Sequence, residues 1–178
     1  MSDYFELVQR RESCRNFSDR PVEREKLERC LEAARLAPSA CNSQPWRYLV
    51  VTNEETCGKL RPLVQGMGMN KFADGCRTFI VVVEQKATLS ERTAKVFKSQ
   101  DFASIDLGLS VSQLCYAATE QGLSTCILGW LNEKKIKELF GIQGQERVRL
   151  VLCVGYAATD ALRVKQRRPL EDVAIFYQ

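Results

Sequence analysis

Apolar residues recur at helical spacing early in the chain. Leu27, Cys30, Leu31 and Ala34 occupy positions i, i+3, i+4 and i+7, with charged residues between them. This spacing places their side chains on one face of a helix. It predicts an amphipathic helix that ends before Pro38.

Polar capping residues mark the starts of three shorter helices. A side-chain oxygen at the N-cap satisfies backbone N–H groups that the first helical turn leaves without a partner. We expect Pro62 to interrupt the helix that begins at Asn53, because proline lacks a backbone donor. The predicted helices run from Asp3 to Arg10, with Asp3 and Glu6 as a capping pair, from Asn53 through Leu60, and from Asn132 to Phe140, which Gly141 ends.

A long helix is predicted from about Asp101 to Gln121, with Gly122 in the C-cap position. Its residues are apolar or small on nearly every face, which is typical of a buried helix. A domain of 178 residues can hardly cover such a helix completely, so we expect part of it to lie in a homodimer interface. The residues concerned are Ala103, Ile105, Leu107, Leu109, Val111, Leu114, Ala117 and Ala118.

Apolar runs without helical spacing predict the strands. The run FIVVV is apolar at every position, as in a strand that is covered on both faces. No element is predicted for the polar stretch 84–99. Helices combined with few strands predict a single α+β domain over residues 1–178. The strand candidates are Tyr48–Thr52, Phe79–Val83, Thr125–Trp130 (a short strand or a loop) and Val148–Val154.

Composition narrows the class of protein. The chain is 45% hydrophobic and 27% charged, as in an ordinary globular protein. It has no apolar run of the roughly 20 residues that a membrane-spanning helix needs, and its first residues lack the apolar core of a signal peptide. We therefore expect a cytoplasmic protein without membrane contact.

Basic charge is concentrated in two places. The net charge is +4, and acidic residues are interleaved with the basic ones except in the cluster Arg10–Arg15 and in the run RVKQRR at 163–168. A nucleic-acid surface would need a longer basic track. Two local basic sites fit one bound anion better, so we expect no nucleic-acid partner.

Cysteine and histidine usage excludes several kinds of catalysis. The eight cysteines are widely spread and form no C-x-x-C motif, which argues against a metal centre and favours reduced thiols. Histidine is absent, which removes Ser-His-Asp and Cys-His catalysis. An enzyme with this composition would rely on a cofactor that carries its own reactivity.

Two polar segments are candidates for cofactor binding. Guanidinium groups pair bidentately with phosphate oxygens, which suits the Arg10–Arg15 cluster and its Ser13. The loop that contains Ser39, Asn42 and Gln44 could hydrogen-bond the rest of a nucleotide-like ligand. Each feature also has an ordinary structural interpretation: a solvated helix end for the arginines, turn chemistry for the loop.

Five motifs occur in order along nearly the whole chain. They are R-R-x-S-x-R (Arg10–Arg15) with the following F-S-D-R-P-V, A-R-x-A-P-S-x-x-N-S-Q-P-W (Ala34–Trp46), D-x-G (Asp106–Gly108), G-L-S-T-C-I-L-G-W (Gly122–Trp130), and V-G-Y with a later R-x-K-x-R (Arg163–Arg167). In these motifs and their spacing the chain resembles the FMN-dependent nitroreductase family.

The resemblance implies a fold and a cofactor. The fold would be nitroreductase-like, with a mixed, mostly antiparallel sheet, flanking helices and a long buried central helix, assembled as a domain-swapped homodimer. FMN would lie between the subunits, take hydride from NAD(P)H and pass it to a small-molecule acceptor. Neither a metal nor a catalytic side chain is expected, since the flavin carries the chemistry.

The resemblance also implies roles for individual residues. Arg11, Ser13, Arg15, Lys165 and Arg167 would hold the FMN phosphate. Other positions match residues that approach the flavin: Pro38, Ser39, Asn42 and Gln44, some of them from the partner chain; Asn70 and Lys71 at the pyrimidine edge; and the backbone of Leu128 and Gly129 near the reactive nitrogen.

The sequence leaves the identity of the electron acceptor open. Larger family members carry an excursion where this chain has the short stretch 84–99, so a more open pocket for nitroaromatics or quinones is expected. No G-x-G-x-x-G motif is present, so the donor and the acceptor would share one face of the flavin in a ping-pong reaction. The alternatives are a flavoprotein of the same fold with other chemistry (dehalogenation, flavin breakdown, azoline oxidation) and a non-enzymatic module that binds nucleic acid.

Overall fold

A computed structural model describes residues 3–85 and 101–178. The stretch 84–99, for which the sequence predicts no element, falls outside the described residues from 86 onward. Five α-helices and four strands are described: α1 Tyr4–Arg10, α2 Arg24–Arg35, β1 Trp46–Val51, α3 Glu54–Val64, β2 Thr78–Glu84, α4 Phe102–Glu120, β3 Ser124–Leu128, α5 Glu133–Phe140 and β4 Arg147–Gly155. Short 3-10 helices cover Ala40–Asn42, Lys71–Gly75 and Leu170–Asp172.

The four strands form one sheet in the order β1-β2-β4-β3, and each neighbouring pair is antiparallel. Strand β2 lies inside the sheet and is buried at nearly every position, as its unbroken apolar run predicts. The helices cover both faces, so the domain has three layers. The α+β class and the long central helix are confirmed.

Alternate side chains of the sheet enter two separate cores. Ile80, Val82 and Leu152 pack on one face against α2 and α4. Val81 and Cys153 pack on the other face against α3 and α5. The two sets follow the two-residue period of a strand.

Helix α4 is buried on one side only. Leu107, Val111 and Leu114 are covered by the sheet and α2, whereas Ile105 and Leu109 remain 52% and 44% exposed. An exposed apolar strip is what the expected homodimer interface requires.

The predicted caps are present. The side chains of Asp3, Asn53 and Asn132 each accept a hydrogen bond from a backbone N–H in the first turn of the helix that follows. Asp101, for which the sequence predicts no capping role, caps α4 in the same way by accepting from the Ser104 N–H. At the end of α4, Gly122 has φ +74°, and the Leu123 N–H donates to the Ala118 carbonyl at 2.8 Å. This arrangement is a glycine C-cap.

The prediction that Pro62 interrupts α3 is wrong, because the helix continues to Val64. Two carbonyls of the last turn find partners elsewhere: Leu63 accepts from the Asn132 N–H at 2.7 Å and Val64 from the Asn70 side chain at 2.9 Å. Val64 is also fully buried. Packing and these external donors offset the hydrogen bond that proline removes.

No helix in the two described ranges is both long enough and apolar enough to cross a membrane.

Candidate functional site

The segment after α1 carries the arginine cluster in extended form. Ser13 forms a parallel bridge with Thr125 of β3, and the Cys14 N–H donates to the Thr125 carbonyl at 2.9 Å. In an extended backbone, side chains alternate between two sides. Cys14 therefore points into the core, where it is buried, while Arg11, Ser13 and Arg15 line the opposite side.

The C-terminal basic run forms the other wall of the same pocket. The Arg163 N–H donates to Glu12 Oε2 at 3.1 Å, and its guanidinium donates to the Ser13 carbonyl at 2.5 Å. Lys165 Nζ donates to the Gln9 carbonyl. Together the two segments enclose a cavity of about 340 Å³, lined by Arg11, Glu12, Ser13, Arg15, Arg163, Val164, Lys165, Gln166 and Arg167.

This cavity, here called the basic pocket, has surplus positive charge. Five of its lining residues are cationic and one is acidic. The acidic residue, Glu12, lies 3.5 Å from the Arg163 guanidinium and is neutralised by it. The remaining four cations, together with the Ser13 hydroxyl, fit a phosphate group, which carries about −1.5 to −2 charge at neutral pH.

The Asn70–Lys71 segment adjoins the basic pocket through Arg15. The Arg15 guanidinium lies 6.0 Å from the ring centre of Phe72, which follows Lys71 directly. Asn70 has φ +58°, and its side chain donates to the Val64 carbonyl. Asn70 thus fixes the end of α3 to this turn, while the Lys71 side chain is exposed.

Leu128 and Gly129 lie at the far end of β3 from Ser13. The side chain of Leu128 is buried in the core between the sheet, α3 and α5. Gly129 has no side chain, so its backbone is open to a ligand that approaches this corner.

The loop 38–44 is a strained turn held by helix α4. Cys41, Asn42 and Gln44 have φ values of +52°, +52° and +46°, which L-residues rarely adopt. The Gln44 N–H donates to Ser39 Oγ at 3.0 Å, and the Ala40 N–H donates to Oδ2 of the buried Asp106 at 3.1 Å. These hydrogen bonds fix the backbone while leaving the side chain of Asn42 exposed.

Within a single chain, this loop does not lie beside the basic pocket. The loop leads into β1 at one edge of the sheet, and the pocket lies beside β3 at the other edge. Three strand spacings of about 4.8 Å separate those edges. Pro38, Ser39, Asn42 and Gln44 are therefore placed apart from Arg11, Ser13 and Arg15.

Sequence reasoning missed three contributors to the site. Glu12 and Arg163 join the two basic segments, and Phe72 joins Arg15 to the turn after Asn70. Arg163 belongs to the RVKQRR run and its motif, but the sequence assigns it no contact with the arginine cluster. The partners of Glu12 and Phe72 are more than 50 positions away in the chain, and local pattern carries no signal for them.

All eight cysteines are free thiols. Burial raises the pKa of the Cys14 thiol, the opposite of what a reactive cysteine needs. Cys41 is exposed in the strained loop. Of the two thiols that the sequence places beside the polar motifs, only Cys41 is therefore accessible.

Comparisons with known proteins identify the family. The model of the nitroreductase family matches residues 8–156. YdgI of Bacillus subtilis, named as an NAD(P)H nitroreductase, is 26% identical in an alignment that covers 97% of each protein. The iodotyrosine dehalogenase 1 homolog of Caenorhabditis elegans is 25% identical in an alignment that covers 98% of this chain and 61% of that protein.

A solved structure agrees in fold. It is named as a nitroreductase from Exiguobacterium sibiricum in complex with FMN. It superposes with a TM-score of 0.83 at 27% identity, over 99% of this chain and 98% of that one. With the family model matched across most of its length, this chain belongs to the nitroreductase family.

Proposed function

We propose that this protein is an FMN-dependent oxidoreductase that takes hydride from NAD(P)H and transfers it to a small-molecule acceptor such as a nitroaromatic or a quinone. The observation that carries the proposal is the basic pocket, in which cations from both ends of the chain surround one cavity. The related structure in complex with FMN supports the choice of ligand.

Different residues of the chain would bind different parts of the cofactor. Arg11, Ser13, Arg15, Lys165 and Arg167 hold its phosphate in the basic pocket. Two further pairs act on the ring system: Asn70 and Lys71 at the pyrimidine edge, where a cation stabilises the anionic reduced flavin, and the backbone of Leu128 and Gly129 beside the reactive nitrogen. When bound, FMN supplies the hydride acceptor and donor that this chain's side chains lack.

A homodimer would complete the site. The loop with Pro38, Ser39, Asn42 and Gln44 lies at the opposite edge of the sheet from the basic pocket, and we assign it to the flavin of the partner subunit. The C-terminal segment supports this assembly, since it exposes large apolar side chains in the single chain. These are Leu162, Val164, Leu170, Val173, Ile175, Phe176 and Tyr177.

One flavin face would serve the donor and the acceptor in turn. This arrangement requires the first product to leave before the acceptor binds, which gives ping-pong kinetics with parallel initial-rate lines. The eight free thiols fit a reducing cytoplasmic compartment.

The absorption spectrum of the purified protein tests the proposal. We expect a flavin band that NADPH or NADH bleaches without oxygen and that menadione restores. Arg11→Ala combined with Arg15→Ala removes two charge-assisted contacts and should weaken FMN binding at least about tenfold. Arg24→Ala is the matched control, because that arginine is exposed on α2 and pairs with Glu28. A colourless protein that does not bind added FMN would refute the proposal.

A second candidate is reductive dehalogenation, favoured by the similarity to the iodotyrosine dehalogenase 1 homolog. In this reaction an aryl–iodine bond is replaced by aryl–hydrogen, with two electrons and one proton consumed and iodide released. Iodide release from diiodotyrosine by the reduced protein distinguishes the two functions.

A further inference from the structure

A second cavity, of about 390 Å³, lies where α3 ends and α5 begins. A volume of this size is in the range of small-molecule sites. It starts one residue beyond Gly129. Its lining residues are Pro62, Leu63, Gln65, Gly66, Trp130, Leu131, Asn132 and Glu133, and we call it the Trp130 cleft.

Trp130 forms a fixed aromatic wall of this cleft. The pyrrole side of its indole rests on the backbone of Gly66, where an added Cβ would lie 2.4 Å from Nε1 and 3.2 Å from Cδ1. The hydrogen bond from the Asn132 N–H to the Leu63 carbonyl, at 2.7 Å, fixes the backbone two residues further on. Trp130 is nevertheless 50% exposed, so a large part of a well-supported ring faces outward.

Two polar side chains of the cleft are already paired. Gln65 Nε2 donates to Asp74 at 2.6 Å, and the Glu133 carboxylate accepts from the Arg147 guanidinium at 3.0 Å. Since an indole face attracts flat rings through stacking, the cleft favours an uncharged planar ligand over an anion.

The cleft adjoins the proposed flavin site from two directions. Strand β3 leads from Thr125, beside the basic pocket, to Leu128 about 10 Å away, and Trp130 is two residues further. From the other direction, Phe72 contacts Arg15, and Gly66 precedes Asn70 by four residues in the same loop. A ligand on Trp130 therefore lies next to the Leu128–Gly129 corner.

We propose that Trp130 is a specificity-determining residue that stacks on the aromatic ring of the electron acceptor, with Gly66 as the residue that permits its position. This inference rests on the proposed function. With a quinone as acceptor, NAD(P)H and one proton reduce the quinone to the hydroquinone, and NAD(P)+ is released, so two electrons are transferred in all.

Acceptors of different shape test the role of Trp130. The FMN-loaded protein is assayed with menadione, which is planar and aromatic, and with ferricyanide, which takes single electrons and offers no ring. Trp130→Ala should lower kcat/KM for menadione roughly three- to tenfold, mainly through KM, and leave the ferricyanide rate within twofold. Trp130→Phe should retain most of the menadione activity.

Two further variants keep the test decisive. Gly66→Ala should reproduce the menadione defect of Trp130→Ala, because the new Cβ displaces the indole. Val50→Ala, at an exposed apolar position of the distant edge strand β1, should change neither rate. Unchanged menadione kinetics in both Trp130→Ala and Gly66→Ala, with full FMN content, would overturn this inference and leave the proposed function intact. Failure of the wild-type protein to bind FMN or oxidise NAD(P)H would refute the proposed function itself.

Discussion

Single side chains fix the two segments that meet at the basic pocket. Arg163 contributes little free charge, since it pairs with Glu12 and with the Ser13 carbonyl. Its effect is to hold the segment that carries Lys165 and Arg167 against the arginine cluster. Charge density in the sequence therefore predicts which residues line the basic pocket, while the residue that positions them emerges only from the fold.

Tyr156 links three charged residues at the start of α2. Its hydroxyl donates to Glu23 Oε2 at 2.6 Å and accepts from Lys26 Nζ at 2.9 Å, and its ring lies 3.9 Å from the Arg20 guanidinium. The hydrogen bond from Tyr156, reinforced by Arg20, lowers the pKa of Glu23 from 4.5 to about 2. The folded state thus favours the ionised carboxylate.

The lowered pKa of Glu23 predicts a pH-dependent effect of Tyr156→Phe. Because the folded pKa lies below the unfolded one, the stabilisation is fully present above about pH 4.5 and is lost as the pH falls towards 2. The difference in unfolding free energy between wild type and variant should therefore be largest at pH 6 and shrink by pH 3. Urea unfolding at both pH values measures it, and a pH-independent difference would contradict the assigned hydrogen bond.

At the scale of elements, local signals predict where helices begin and end. The sequence correctly predicts the helix caps at Asn53, Asn132 and Gly122, because capping depends on neighbouring backbone groups. Pro62 does not follow its local signal, since the donors that complete the end of α3 come from Asn70 and Asn132. The same limit applies to the site: Arg11, Ser13 and Arg15 are visible in a short motif, while the Trp130 cleft needs contacts between α3, β3 and α5.

Two glycines in different elements should respond oppositely to alanine. Gly122 ends α4 with φ +74°, which alanine adopts at a cost of about 1–2 kcal/mol. Gly58 lies inside α3, and an added Cβ there meets no atom within 4 Å, so Gly58→Ala should stabilise by about 0.5–1 kcal/mol. Thermal unfolding of both variants checks the prediction. A loss of stability in Gly58→Ala would mean that its surroundings differ from those described.

At the scale of the whole molecule, the described sheet and helices leave apolar side chains uncovered on α4 and in the C-terminal segment. The sheet buries both of its faces, yet Ile105 and Leu109 on the outer side of α4 stay exposed, as do large side chains of the C-terminal segment. Large exposed apolar patches mark protein–protein interfaces. The loop 38–44 is hydrogen-bonded to α4 through Asp106. A partner subunit that packs on α4 would therefore also contact this loop, which we assign to the partner's flavin.

Leu109→Glu tests whether this surface forms the homodimer and whether the dimer is needed for the flavin. A carboxylate buried in an apolar interface without a partner carries a large desolvation cost. We therefore expect the variant to sediment at the 20.2 kDa of one chain instead of twice that mass. It should also lose FMN, because Ser39, Asn42 and Gln44 of the partner no longer reach the ring. Val50→Glu, which places the same charge on the exposed edge of β1, should remain dimeric and retain FMN. A Leu109→Glu monomer that still binds FMN with wild-type affinity would show that one subunit forms the flavin site without help from α4 or its loop.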